Sequence, residues 1–368
     1  MHHFWQGKPT RQAHKGIPQG HFEEEQGHLG FFGPVSHLIR SKPSTRWKSI
    51  EGPLGPHLYD FVKLSPAPGW KRLFYNNDIT ISYAHYEKSS GPELTSFRNA
   101  DGDTLMFCHK GHGRILSEYG QLAFRPGHYL ILPKGLGFTV FADEACEFFV
   151  VENLTSHFHE PDRGIAGRNA LYDDQAIGKP DLDQQMEFLK QHHLKVNRID
   201  VKRLNESTVF SYEDCIYQDI IGWKGDLYPI SLHMDHIMPL MSHRSHLPPS
   251  AHTTFVARNF VVCSFLPRPL EEDDDALKVP FYHQNIDYDE VLFYHDGDFF
   301  SRDNLHAGMA TLHPAGFPHG PHPKAIEKVK DKKRTDESAV MIDTRWPLKV
   351  DTAALQVEVQ DYWKSWQK

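Results

Sequence analysis

The chain has 368 residues, with 40 Lys and Arg against 48 Asp and Glu, a formal net charge of −8, and 26 histidines. Single hydrophobic cores stop growing at roughly 250–300 residues, so two domains are expected. No basic stripe with interleaved aromatics offers a surface to nucleic acid, no window reaches the ~18 apolar residues of a membrane span, and Met1 to Gln6 is not a charged-then-apolar leader. A cytoplasmic protein without nucleic-acid or membrane partners is expected.

The first 55 or so residues are polar and rich in Gly and Pro, and are expected to wrap the surface. His14, His21, His192 and His193 have polar neighbours and read as ordinary surface or hydrogen-bonded histidines. Strands are expected at residues 105–109, 129–132 and 148–151, with turns at 111–113, 125–127 and 142–144. Residues 152–215 read as a crossing between domains, with a helix at 181–190 whose first turn is acidic. The acidic run 271–275 lacks the spaced ligands and the glycine of a calcium loop and reads as solvated. Further strands are expected at 291–294 and 309–312, and helices at 325–330 and 353–363; the lysine-rich stretch 324–334 reads as a solvated face. Cys108, Cys146, Cys215 and Cys263 lie far apart with no C-x-x-C, as free thiols in a reducing compartment would.

One pattern occurs twice. Residues 97–111 align without a gap on 283–297, so that Asn99, Asp101, Asp103, Phe107, His109 and Gly111 recur as Asn285, Asp287, Asp289, Phe293, His295 and Gly297. Downstream, Gly127-x5-Pro133-x-Gly135-x2-Phe138 repeats the spacing of Gly308-x5-Pro314-x-Gly316-x2-His319. A β-barrel has been duplicated. Where the second copy carries His283, Glu290 and His319, the first carries Phe97, Thr104 and Phe138 and cannot hold a transition metal this way. Barrel packing therefore tolerates Phe and Thr at these inward positions, which points to ligands in the second copy over hydrogen-bonded core histidines. Alternate strand residues point inward, so His283 and Asn285 share a face that His319 can meet from another strand. Two His and one carboxylate leave three positions of an octahedral metal open on one face, which suits non-haem Fe(II) activating dioxygen beside a substrate.

The glycine-framed patterns resemble the cupin superfamily, with Asn285 where many cupins carry another metal-binding histidine. Within it, the chain resembles the homogentisate 1,2-dioxygenase family through Ser96-Phe97-Arg98-Asn99-Ala100-Asp101-Gly102-Asp103, Glu118-Tyr119-Gly120 and Asn169-Ala170-Leu171. The likeness continues through Trp223-Lys224-Gly225-Asp226, Pro280-Phe281-Tyr282-His283-Gln284-Asn285, Leu312-His313-Pro314 and Pro318-His319-Gly320-Pro321. It covers most of residues 60–345.

The resemblance implies a mainly β chain of duplicated cupin (bicupin) barrels with a few peripheral helices. Residues 1–215 would form an N-terminal extension and a degenerate barrel without metal ligands, and 216–368 the metal-binding barrel with a C-terminal helix. It implies Fe(II) on His283, Glu290 and His319 and ring cleavage of homogentisate with O2 to maleylacetoacetate, in tyrosine and phenylalanine catabolism. The family spaces its first histidine and glutamate one residue closer. Glu290 is preferred to Asp289 because Asp289 has a counterpart, Asp103, in the copy without ligands. The catalytic acid/base histidine falls on His246, with His243 and His252 as alternatives. His319, His313, Tyr282, Tyr294 and Phe299 are the substrate-contacting candidates. Phe299 stands where the family has a substrate-binding tyrosine, so either Tyr294 or Tyr282 supplies the hydroxyl or the substrate differs. Gentisate or another hydroquinone or catecholic acid is the alternative substrate, and a non-oxidative cupin isomerase the alternative reaction. Family members assemble as trimers or hexamers, so a homo-oligomer is implied.

Overall fold

The computed structural model describes residues 4–278, 281–302, 304–329 and 331–367. They form two compact units, one of residues 65–238 and 350–353, the other of residues up to 64, 239–349 and 354 onward. The expected strands form in both.

In the first unit Asp103–Lys110 lies between His128–Leu132 and Cys146–Asn153, and the sheet continues through Ile79–Tyr86 to Gly69–Tyr75. A second sheet holds Glu93–Asn99, Gly137–Ala142 and Gly113–Ser117. Met106, Leu130 and Phe148 of the one sheet meet Ile115, Phe138 and Val140 of the other in one core. Burying each such side chain contributes about 1.5–3 kcal/mol. Residues 152–215 are more than a crossing: Lys195–Arg203 runs parallel to Glu93–Asn99 and turns back as Glu206–Ser211. The helix Leu182–Gln191 starts where expected, with the Asp181 carboxylate accepting the Gln184 N–H at 2.9 Å.

The second unit repeats this plan. Asp289–Asp296 lies between Met309–His313 and Ser338–Thr344, and the sheet extends through Phe260–Phe265 to Thr253–Val256. The other wall is Tyr282–Asn285, and its parallel neighbour is Phe22–Gly27, which turns back as Val35–Arg40. The N-terminal residues thus do not merely wrap the surface, and the units do not divide at 215/216. Residues 22–40 complete the second barrel as 195–211 complete the first, because an inward-facing strand needs a hydrogen-bonded neighbour on each edge.

Register confirms the duplication residue by residue. Thr104 is flanked by Leu132 and Glu152, Glu290 by His313 and Asp343, and Phe97 pairs with Phe138 as His283 pairs with His319. Gly111 and Gly297 both adopt positive φ, 80° and 100°.

The C-terminal helix is shorter than expected. α-Helix covers only Thr352–Leu355, and a 3-10 helix forms at Tyr362–Gln367; between them the Val359 N–H bonds the Leu58 carbonyl and the Asp60 N–H bonds the Val357 carbonyl. Val357-Glu358-Val359 alternates apolar and polar, and the open edge of His57–Asp60 takes it as a strand would. The helix expected at 325–330 is Pro323–Lys328, with Lys330 outside the described residues. All four cysteines are buried and free of disulfides. No helix among the described residues is long and apolar enough to cross a membrane.

Candidate active site

Backbone geometry brings the three expected ligands together. His283 and His319 are joined by reciprocal main-chain hydrogen bonds of 2.8 and 2.9 Å, and their rings lie 4.1 Å apart. In each residue Nδ1 is 3.0 Å from the carbonyl oxygen two positions earlier, Phe281 for His283 and Phe317 for His319. A proton donated there leaves the lone pair on Nε2. Those Nε2 atoms lie 3.7 and 3.5 Å from Glu290 Oε2, buried and without a hydrogen-bond partner. A buried acceptor left open costs about 1–3 kcal/mol, and a cation among these three atoms would satisfy them together. The donor set therefore fits a divalent metal.

Glu290 is held for this. Its Oε1 accepts from His313 Nδ1 at 2.7 Å. Burial pushes the carboxyl up, but the field of the adjacent imidazoles, His319 first, and the hydrogen bond from His313 outweigh it and hold Glu290 well below the usual carboxylate range. His313 is pushed down to about 3 by burial and by His319. The neighbouring Asp343 is driven well above its ordinary value by burial and by the charge of Glu290. Asp289 faces the other way, accepting the Ala315 and Leu348 N–H groups at 2.7 Å each. Asp103 accepts the Lys134 N–H at 2.8 Å in the equivalent place. This aspartate is a backbone tie in both copies.

His283 and Glu290 open into a cavity of about 110 Å³ whose wall includes Tyr294, His246, His252, Arg268 and Arg302. Leu240, Leu247, Phe265 and Met341 line it with apolar surface. Of the three histidines considered upstream, His246 and His252 reach the wall and His243 is exposed. His246 Nδ1 lies 2.6 Å from Glu271 Oε1, whereas burial and the charge of Arg268 hold His252 well below its ordinary value. His313 contacts Glu290 instead of the cavity. Tyr282 faces away from the side of its strand that carries His283, toward Phe22. Phe299 packs into the core with Leu58, Tyr294 and Trp366, outside the cavity wall. Tyr294 is the tyrosine that reaches the wall, its hydroxyl 3.3 Å from Thr311 Oγ1.

Several wall residues carry no sequence signal. Glu271 opens the acidic run expected to be solvated, yet it is 6 % exposed and bound to His246. Arg268 and Arg302 sit in irregular segments with no counterpart in the repeated pattern; Arg268 Nη1 and Arg302 Nε are buried without hydrogen-bond partners.

Similarity to known proteins runs along most of the chain. A family model described as homogentisate 1,2-dioxygenase N-terminal matches residues 21–234, and one described as homogentisate 1,2-dioxygenase C-terminal matches residues 229–368. A provisionally named dioxygenase of Saccharolobus solfataricus is 31% identical over 363 residues, spanning 94% of this chain and 92% of the relative. The homogentisate 1,2-dioxygenase of Mus musculus is 23% identical over an alignment of 380 residues, spanning 97% of this chain and 81% of the relative. Among solved structures, a cupin 2 conserved barrel domain protein of Leptotrichia buccalis covers 75% of this chain and 88% of its own, at 11% identity and a TM-score of 0.35.

Proposed function

This chain belongs to the homogentisate 1,2-dioxygenase family, and we propose that it is an Fe(II)-dependent ring-cleaving dioxygenase converting homogentisate and O2 to maleylacetoacetate. The observation that carries this reading is the convergence of His283 Nε2, Glu290 Oε2 and His319 Nε2 beside a cavity whose wall is largely apolar. His283, Glu290 and His319 would hold Fe(II), which would supply a redox-active Lewis acid beside the cavity.

The protein's own groups do the rest. His246, oriented through Nδ1 by Glu271, accepts the proton of the substrate phenol at Nε2, and the carboxylate of Glu271 stabilises the resulting imidazolium. Arg268 Nη1 and Arg302 Nε, buried without hydrogen-bond partners, take the carboxylate of an aromatic acid in charge-assisted hydrogen bonds. Leu240, Leu247, Phe265 and Met341 exclude water around the ring. Tyr294 is the hydroxyl available near the ring, since Phe299 has none and Tyr282 faces elsewhere.

A second substrate reading rests on Phe299, whose core position leaves the family's tyrosine contact unmade. Gentisate or hydroquinone would then replace homogentisate with the reaction class unchanged. Anaerobic reconstitution with Fe(II), followed by oxygen uptake on each of the three compounds, tests both readings. Uptake with homogentisate supports the first, and uptake only with another compound moves the substrate. Turnover without oxygen consumption would make the chain an isomerase.

A further inference from the structure

A second group of two histidines and a carboxylate lies outside the active site, and we propose that His14, Glu23 and His37 bind a divalent cation, zinc by the character of the donors. Glu23 and Glu25 point to the same face of Phe22–Gly27, and His37 is the cross-strand partner of Glu25 in the hairpin with Val35–Arg40. His14 arrives from the preceding loop. Of the two readings given for it, surface or hydrogen-bonded, the second holds: it is 2 % exposed, hydrogen-bonded to Glu23 and stacked on Phe281 with ring centroids 3.9 Å apart.

The atoms face a common point. Glu23 Oε2 is hydrogen-bonded to His14 Nδ1 at 3.1 Å and accepts the His14 backbone N–H at 2.8 Å, while His37 Nδ1 is 2.9 Å from Glu23 Oε1. The second pair is close but misaligned for a hydrogen bond, and both of its atoms are buried without another hydrogen-bond partner. The Glu23 side chain has no exposed surface. The unaligned His37–Glu23 approach is the relation of two ligand atoms around a cation, which would take the place of the His14–Glu23 hydrogen bond. The Nε2 atoms of His283 and His319 stand in the same unpartnered relation to Glu290.

Glu25 completes the arrangement from the other side. Its Oε2 is 3.4 Å from His14 Nε2 and its Oε1 is 3.8 Å from His37 Nε2. The Glu25 carboxylate lies behind both rings, where it would take the Nε2 protons once a cation draws each Nδ1 lone pair, the usual support of a metal-binding histidine. Two carboxylates and two neutral imidazoles balance a divalent cation in charge. Cation binding would fix the His14 loop to the hairpin and, through the His14–Phe281 stack, steady one wall of the cavity.

The test uses the full chain, stripped by chelator, equilibrated with Zn(II), dialysed and assayed for bound metal. The unmodified chain is expected to retain two equivalents, and the His283→Ala/His319→Ala chain one. Adding Glu23→Gln, which preserves shape, to that chain should remove the last equivalent and the rise in melting temperature that zinc gives. Glu25→Gln should weaken the site by roughly 10–100-fold. A single equivalent in the unmodified chain, or a second equivalent that survives both Glu23→Gln and His14→Ala/His37→Ala, overturns the assignment.

Discussion

His313 and Glu290 face each other on adjacent antiparallel strands, with Nδ1 of the histidine 2.7 Å from Oε1 of the glutamate. The first copy has Leu132 and Thr104 in that register, so the donor and the carboxylate are present together in one copy and absent together in the other. His313→Ala is therefore expected to weaken Fe(II) binding by roughly 10–100-fold without removing a ligand. His313→Asn, which keeps a donor, should recover part of the loss. Equal Fe(II) affinity in wild type and His313→Ala, measured by titration, would contradict a positioning role.

Arg268→Met should raise KM for homogentisate more than KM for hydroquinone, which has no carboxylate. A charge-assisted hydrogen bond contributes about 1.5–3 kcal/mol, so the expected difference is roughly ten- to a hundredfold. Parallel changes with the two substrates would mean that the arginine shapes the cavity without binding the acid group.

The cluster of His283, Glu290 and His319 was legible because the chain carries its own reference. Phe97, Thr104 and Phe138 mark which inward positions the barrel leaves open, and the shared backbone tie of Asp103 and Asp289 separates Glu290 from its neighbour. Strands were legible for the same reason, since two-residue alternation survived in both copies. The rest of the site is assembled by long-range contacts without periodicity. Glu271 looks like one member of an acidic loop until His246 is placed against it, and His14 looks solvated until Phe281 and two glutamates cover it. The segment 357–359 has a helix-compatible composition, and only the open edge of His57–Asp60 makes it extended.

Acid should destabilise the first unit through His128. Burial, followed by the positive charge of His233, pushes its pKa from 6.5 to about 4. A histidine depressed in the folded state favours folding while it is neutral, so the stability present above pH 6.5 is lost as pH falls toward 4. His128→Asn should flatten denaturant midpoints across that window. An unchanged slope would show that other groups govern acid unfolding.

Gly297→Ala should be among the most destabilising single-methyl additions. The residue has φ +100°, and an added Cβ would lie 1.8 Å from the Asp336 carbonyl oxygen. Left-handed strain of about 1–2 kcal/mol and overpacking of about 1–3 kcal/mol predict a loss of several kcal/mol in urea unfolding. A loss below about 1 kcal/mol would mean that the turn relaxes freely.

Oxygen uptake by Fe(II)-reconstituted wild type and His319→Ala, assayed side by side with homogentisate, tests the central claim most directly. Wild type is expected to consume one O2 per homogentisate, as near-ultraviolet absorbance of the ring-opened product rises, and His319→Ala neither. Uptake by His319→Ala at the wild-type rate would place the chemistry somewhere other than on His283, Glu290 and His319.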